Sequence, residues 1–211
     1  LITFAVLKLS QEYFEIMQLS KITQISFIVF ISLISTFYNA TVSLAQKNKH
    51  VTPPSADQFP TPPDAENRLF YIQRSSNTNT ILYDANILED NKLDTKSPVH
   101  AYWIRYTEGG KKQELSNIQR TLAYGLHTNP IKGEPNAYEG HFLAYRKRKF
   151  IVKIDAKGEA VALFPINGKM QVLKRVFVSV DESGMMPSVV YIDLWGKDAT
   201  TGKEVYERFK P

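Results

Sequence analysis

Between Arg68 and Phe209 the chain is a series of short runs rich in β-branched and aromatic residues, each closed by turn-forming residues. That punctuation leaves little room for long helices and points to antiparallel hairpins. Asp155-Ala156-Lys157-Gly158 suits a type I turn with a glycine bulge, and Asn167-Gly168 suits a type I′ turn. Ser75-Ser76-Asn77-Thr78-Asn79 is a further turn cluster, because its side chains can bond the local backbone. The runs read as strands are 68–74, 80–86, 99–107, 138–145, 150–155, 160–165, 170–181, 189–195 and 204–209. Nine strands in sequential hairpins predict a mainly β fold, a single antiparallel barrel or sandwich.

Alternation can be followed in the two longest runs. Met170, Val172, Val176, Val178 and Val180 share one parity, interrupted by Lys174, which is expected near a strand end or a bulge. Val190, Ile192 and Leu194 form a dry face opposite Val189, Tyr191, Asp193 and Trp195. One short helix is expected near 116–124. Ser116-Asn117-Ile118-Gln119 has capping-box spacing, Leu115, Ile118 and Leu122 share a face, and Gly125 is a plausible C-cap.

The N-terminal part bears on location. Residues 1–16 precede the first methionine and are read as lying upstream of a natural start. Met17 to Ala45 has the layout of a secretory signal peptide: Lys21, an apolar run from Ile22 to Tyr38, and small residues Ser43 and Ala45 at the exit. The run is about 17 residues long, short of the roughly 20 a membrane span needs, so cleavage is favoured over retention as an anchor. Residues 46–66, with Pro53, Pro54, Pro60, Pro62 and Pro63, read as an extended, solvated linker, leaving 67–211 as a single β-domain. A periplasmic or secreted protein is expected.

Composition excludes several classes. With no cysteine there is no disulfide framework, no lipid anchor on cysteine and no thiol catalysis. A net charge of +5 favours anionic surfaces but falls short of a nucleic-acid footprint. Phosphate-cradling glycine loops, a nucleophile elbow and a metalloprotease helix motif are missing from the sequence. The four histidines, His50, His100, His127 and His141, are far apart in sequence. Their plain reading is strand-end residues bonded to backbone, and a metal set with a carboxylate such as Glu139 is the minor alternative. Asp181-Glu182 and Glu89-Asp90 are adjacent acids, which does not place two carboxylates across a scissile bond. No catalytic residue, cofactor or metal is therefore named.

Two features could bind. Arg146-Lys147-Arg148-Lys149 is expected to crowd one hairpin tip, where it would dock an anionic polymer or lipid head group. The plainer reading, a solvated turn, carries more weight. Tyr71, Arg74, Tyr83, Tyr102, Trp103, Arg105, Tyr106, Arg120 and Tyr124 interleave aromatic rings with guanidinium groups. Such a set can line a ligand cleft, or it can be a core of large aromatics with arginines stacked on it.

The segments Phe59-Pro60, Asn67 to Thr80, Tyr83 to Asn86, Pro98-Val99, Tyr102 to Tyr106, Ile118 to Arg120 and Ala123 to Gly125 resemble a bacterial exported family catalogued as a domain of unknown function (number 4833). The resemblance covers roughly 59–209. It implies an exported single domain, carries over no activity or catalytic residues, and marks the Arg74–Asn79 turn, Trp103–Arg105 and Arg120–Tyr124 as neighbours in space. The leading expectation is a non-enzymatic extracytoplasmic domain binding a small molecule, glycan, lipid or other anionic envelope component, through Tyr71, Arg74, Asn77, Asn79, Trp103, Arg105, Arg120 and Tyr124. The alternatives are an envelope glycan or lipid hydrolase, using carboxylates or a histidine such as His127 or His141, and a structural or partner-interaction module.

Overall fold

The computed structural model describes residues 58–184 and 188–211. The expected leader lies outside them, as does most of the proline-rich segment. Eleven strands form one sheet: β1 (Arg68–Arg74), β2 (Asn77–Ala85), β3 (Val99–Arg105), β4 (Lys111–Glu114), β5 (Leu126–Pro130), β6 (Ala137–Phe142), β7 (Tyr145–Ile154), β8 (Ala160–Ile166), β9 (Lys169–Asp181), β10 (Ser188–Lys197) and β11 (Glu204–Phe209). One short helix, α1 (Asn117–Leu122), sits between β4 and β5. The mainly β expectation holds. The closed barrel or sandwich does not: the path runs β4-β3-β2-β1-β9-β8-β7-β6-β5, and its two ends stay unpaired, giving a curled, open half-barrel.

The branch point is β9. Its first residues pair with β8, from Ile166↔Lys169 to Leu163↔Val172. Its later residues pair with β1 in parallel, from Tyr71↔Arg175 to Arg74↔Val178. Strand β10 runs antiparallel along the other edge of β9 from Val172 to Asp181, meeting the β8-paired part only at Val172, and adds β11 outside. The changeover falls at Lys174. Trp195 pairs with Arg175 and Gly196 with Leu173, so Lys174 is the extra residue of a bulge, as its break in the pattern predicted. The bulge also corrects the single dry face expected for this strand. Core-facing residues switch parity, from Leu173 before the bulge to Val176 and Val178 after it. Gly196 stands opposite that bulge, and a Cβ there would meet the Val172 carbonyl at 2.5 Å and Ile166 Cδ1 at 2.8 Å.

The concave side is one continuous core drawn from both arms of the sheet. Phe70 stacks on Tyr83 at 4.5 Å, and Phe142 from the far arm meets both edge-on. The convex side carries a smaller cluster, Leu82, Tyr102 and Ile104 with Tyr71 and Tyr106. Over this side lies the end of the proline-rich segment, where Phe59, Pro60 and Pro62 pack against the sheet while Thr61 and residues 63–66 stay exposed. Phe59 meets Phe177 at 5.2 Å, and Pro62 is buried. Beneath it the fully buried Gln73 donates to the Pro60 carbonyl at 2.7 Å and accepts from Arg175 Nε at 2.9 Å. Its polar atoms are thereby satisfied where solvent cannot reach.

Both hairpin turns named from sequence form. Gly158 has φ 83° with its N–H bonded to Asp155, and Asn167 and Gly168 have φ 51° and 75°. The capping box forms too, with Ser116 and Gln119 satisfying each other's backbone N–H. Two details of α1 are corrected. Ile118 is 62% exposed, so the helix is held by Leu115 before it and Ala123 and Tyr124 after it. Gly125 is not the cap. A Cβ there would fall 1.7 Å from the Arg120 carbonyl oxygen, so glycine is required by close approach.

Gly196→Ala is expected to destabilise the protein by about 1–3 kcal/mol, because the added methyl must displace Ile166 or open the β9–β10 ladder. Urea unfolding of the variant against the parent measures this.

Candidate functional site

Strand alternation sorts the eight residues singled out from sequence. On β1, Ile72 faces the concave core, and so does Arg74; Tyr71 faces the convex side with Leu82 and Tyr102. Trp103 and Arg105 on β3 share the concave parity, while Tyr124 follows α1 and closes that end from beneath. The result is a cluster of Arg74, Trp103 and Tyr124. The Arg74 guanidinium carbon stands 5.5 Å from the Trp103 ring centre and 5.7 Å from that of Tyr124. The two rings meet edge-on at 5.2 Å, and both residues are buried. The Tyr124 hydroxyl is held above its ordinary pKa, chiefly by burial and against the pull of Arg74, so it stays protonated. Trp103 Nε1 donates to Gln119 Oε1 at 3.3 Å, coupling the helix cap to the cluster.

Arg74 is half-buried, and among the described residues its side chain has no carboxylate and no hydrogen-bond partner; its Nε is sealed from solvent without an acceptor. The other two arginines of the set are engaged. Arg105 pairs with Glu108 at 2.6 Å and donates to Gln113 at 3.1 Å. Arg120 pairs with Glu114, which also takes His100 Nε2 at 2.9 Å. These two bonds, His100 first, hold the Glu114 carboxyl below its usual range. Glu108 and Glu114 were not anticipated, since nothing in their spacing announces the pairing.

The asparagines serve the backbone. The turn is Ser75-Ser76, and β2 already begins at Asn77, so the expected five-residue turn is shorter. Asn77 Oδ1 accepts from Asn79 N–H at 3.0 Å, and Asn79 Oδ1 accepts from Thr107 N–H at 3.2 Å and its hydroxyl at 3.0 Å. Tyr71 is separated from the cluster by the sheet, with Arg175 6.0 Å from its ring centre. The structure thus brings together Arg74, Trp103 and Tyr124, sets Arg105, Asn77 and Asn79 at their margin, ties Arg120 to Glu114 and the Leu115 carbonyl, and leaves Tyr71 apart. An open depression of about 390 Å³ lies elsewhere, lined by the β5–β6 loop and the strand ends beside it, among them Pro130, Glu134 and Tyr138.

The basic run is not a hairpin tip. The tip is Leu143-Ala144, and Arg146–Lys149 lie along β7 on alternate faces. Arg148 forms a two-pronged pair with Glu207, at 2.7 and 3.1 Å, and lies 3.9 Å from the Phe209 ring centre. Lys149 pairs with Glu139 at 2.8 Å, and Arg146 and Lys147 are exposed. A strand forces side chains to alternate, so four consecutive charges cannot form one patch.

A mainly β domain with an open curled sheet, and an arginine seated on two buried aromatics at one end, is the class this geometry defines. Residues 70–208 match the family described as domain of unknown function (DUF4833), and the chain belongs to that family. No curated protein and no solved structure matches the chain.

The Arg148 pair gives a pH prediction. Hydrogen bonding to Arg148 is the main cause holding the Glu207 carboxyl below its usual range. A depressed carboxyl contributes stability above its unfolded pKa and loses it as pH falls through the folded value. Glu207→Gln is therefore expected to lose stability at neutral pH and show a flatter decline in acid. Thermal melts between pH 7 and 3 read both.

Proposed function

We propose that this is an exported, non-enzymatic binding domain that takes a carboxylate- or phosphate-bearing envelope component at Arg74. The observation that carries this reading is the state of that side chain: half-buried, seated on Trp103 and Tyr124, with no anionic partner among the described residues. A guanidinium presents a planar fork of donors suited to carboxylate or phosphate, and the ring faces beneath it fix its orientation. Arg105 and Asn79 at the margin would contribute polar contacts to whatever the anion is attached to. Export rests on the Met17–Ala45 segment, whose charge, apolar run and small-residue exit match a cleavable leader and imply a periplasmic or secreted destination.

The test follows tryptophan fluorescence while the protein is titrated with inorganic phosphate and with a soluble dicarboxylate, because Trp103 lies beside the arginine. Saturable quenching that weakens with added salt is expected for the parent. Arg74→Gln should weaken binding at least about tenfold, the scale of a charge-assisted bond, with an unchanged far-ultraviolet circular dichroism spectrum. Equal binding by the parent and the variant, or no response to either anion, overturns the reading.

A further inference from the structure

The solvent side of β5 and β6 carries a second constellation, independent of Arg74. His127 on β5 and His141 on β6 stand directly opposite each other in antiparallel register. Their ring centres are 5.2 Å apart, with planes tilted 46°. The scaffold under them is tightly set. Gly140, next to His141, has no room for a Cβ, which would lie 2.5 Å from the His127 carbonyl oxygen and 2.7 Å from the Phe150 ring. Sites carried on adjacent strands are held more rigidly than sites on loops.

That spacing has a chemical meaning. Metal–nitrogen bonds of about 2.0–2.1 Å, with about 1.2 Å more to each ring centre, place two imidazoles sharing one ion about 5.2 Å apart in a tetrahedral arrangement and about 4.6 Å apart in the square-planar one copper prefers, so the observed spacing reaches the copper geometry when the two exposed-side rings close by about 0.6 Å. We infer that His127 and His141 form a binding site for a divalent first-row transition ion, with Cu²⁺ held most tightly. Imidazole suits copper, nickel and zinc, and copper heads the affinity order.

The surroundings fit this use. His141 is held below the ordinary histidine range, first by burial and then by His127, Arg146 and Lys149, with Glu139 opposing. Asn129 Nδ2 lies 3.1 Å from His127 Nε2, a hydrogen-bonded neighbour of the kind that orients ligating histidines; with the amide turned, its oxygen accepts from Nε2–H and the other ring nitrogen keeps its lone pair. Lys149, paired across from His141, would repel an ion, but Glu139 binds its ammonium at 2.8 Å and offsets the charge. Among the described residues no group of three or more His, Asp or Glu side chains converges, so water would complete the coordination and the ion would be exchangeable.

The full chain titrated with Cu²⁺ alone, followed by calorimetry and electron paramagnetic resonance, tests the inference. One ion with a two-nitrogen signature is expected. His127→Ala and His141→Ala should each weaken binding at least about tenfold, since even outer-sphere partners of a metal are worth that much, and each should remove one nitrogen from the spectrum. His141→Gln provides a version that keeps side-chain volume, checked for folding by circular dichroism. His100→Ala should bind as the parent does. Absence of copper binding by the parent, or a two-nitrogen signature that survives in both alanine variants, overturns the inference.

Discussion

The bulge at Lys174 is the constraint on which the rest of the architecture depends. A strand presents alternate residues to alternate faces, so one strand serving two differently oriented neighbours would normally turn the wrong parity toward one of them. One extra residue resets the alternation where β9 leaves β8 and takes up β1. Leu173 and Val176 can then both enter the same core, and the two arms of the sheet curl toward each other around it. Closure into a barrel would require β4 and β5 to meet. Both are short and largely exposed, and the curl stops before they do.

The convex side shows how a disulfide-free chain secures its N-terminal approach. Gln73 and Phe177 are neighbours on β1 and β9 and are completely buried, which a solvated outer face would not allow. The segment from Phe59 to Pro63 covers them, with a ring contact to Phe177 and the Pro60 carbonyl bonded to Gln73. Removing one partner from such a pair leaves a buried polar group unsatisfied, at a cost of roughly 1–3 kcal/mol, so the contact specifies where the segment docks. At the far edge Asp193 follows the same rule: only 2% exposed, it accepts from Tyr206 and from both prongs of Arg208.

Much of this was legible from residues alone, for identifiable reasons. Alternation and turn chemistry are local, and so Arg68–Arg74, the Asn167-Gly168 turn, the capping box and the Lys174 break could be read directly. Strands β4 and β5 could not. Lys111–Glu114 is exposed throughout and Leu126–Pro130 carries a proline, so neither has a buried face to impose a pattern; hydrogen bonds to β3 and β6 alone define them. The parallel pairing of β1 with β9 is equally invisible, because it joins segments about a hundred positions apart with no hairpin between them. Arg74, Trp103 and Tyr124 do lie close together, as the family resemblance implied for their segments, but Tyr71, grouped with them from sequence, is sent by parity to the other face. It also placed the basic run at a hairpin tip, because four charged residues resemble a turn when the strand's inner partner, Glu207, lies 59 positions away.

Comparison among the half-buried arginines gives Arg74 its meaning. Arg68, Arg105 and Arg148 each reach a carboxylate, from Asp84, Glu108 and Glu207 respectively, while Arg175, also set beside two rings, donates to the Gln73 side chain. Partial desolvation of a guanidinium is costly, and in those three a fixed anion offsets it. Arg74 is instead offset by two ring faces, which supply on the order of 0.5–2 kcal/mol each and satisfy none of its five donors. Ring contacts orient the group without neutralising it. An anion arriving from solvent would complete for Arg74 the pairing that its counterparts obtain within the chain, and the two aromatics would already have set the direction of approach.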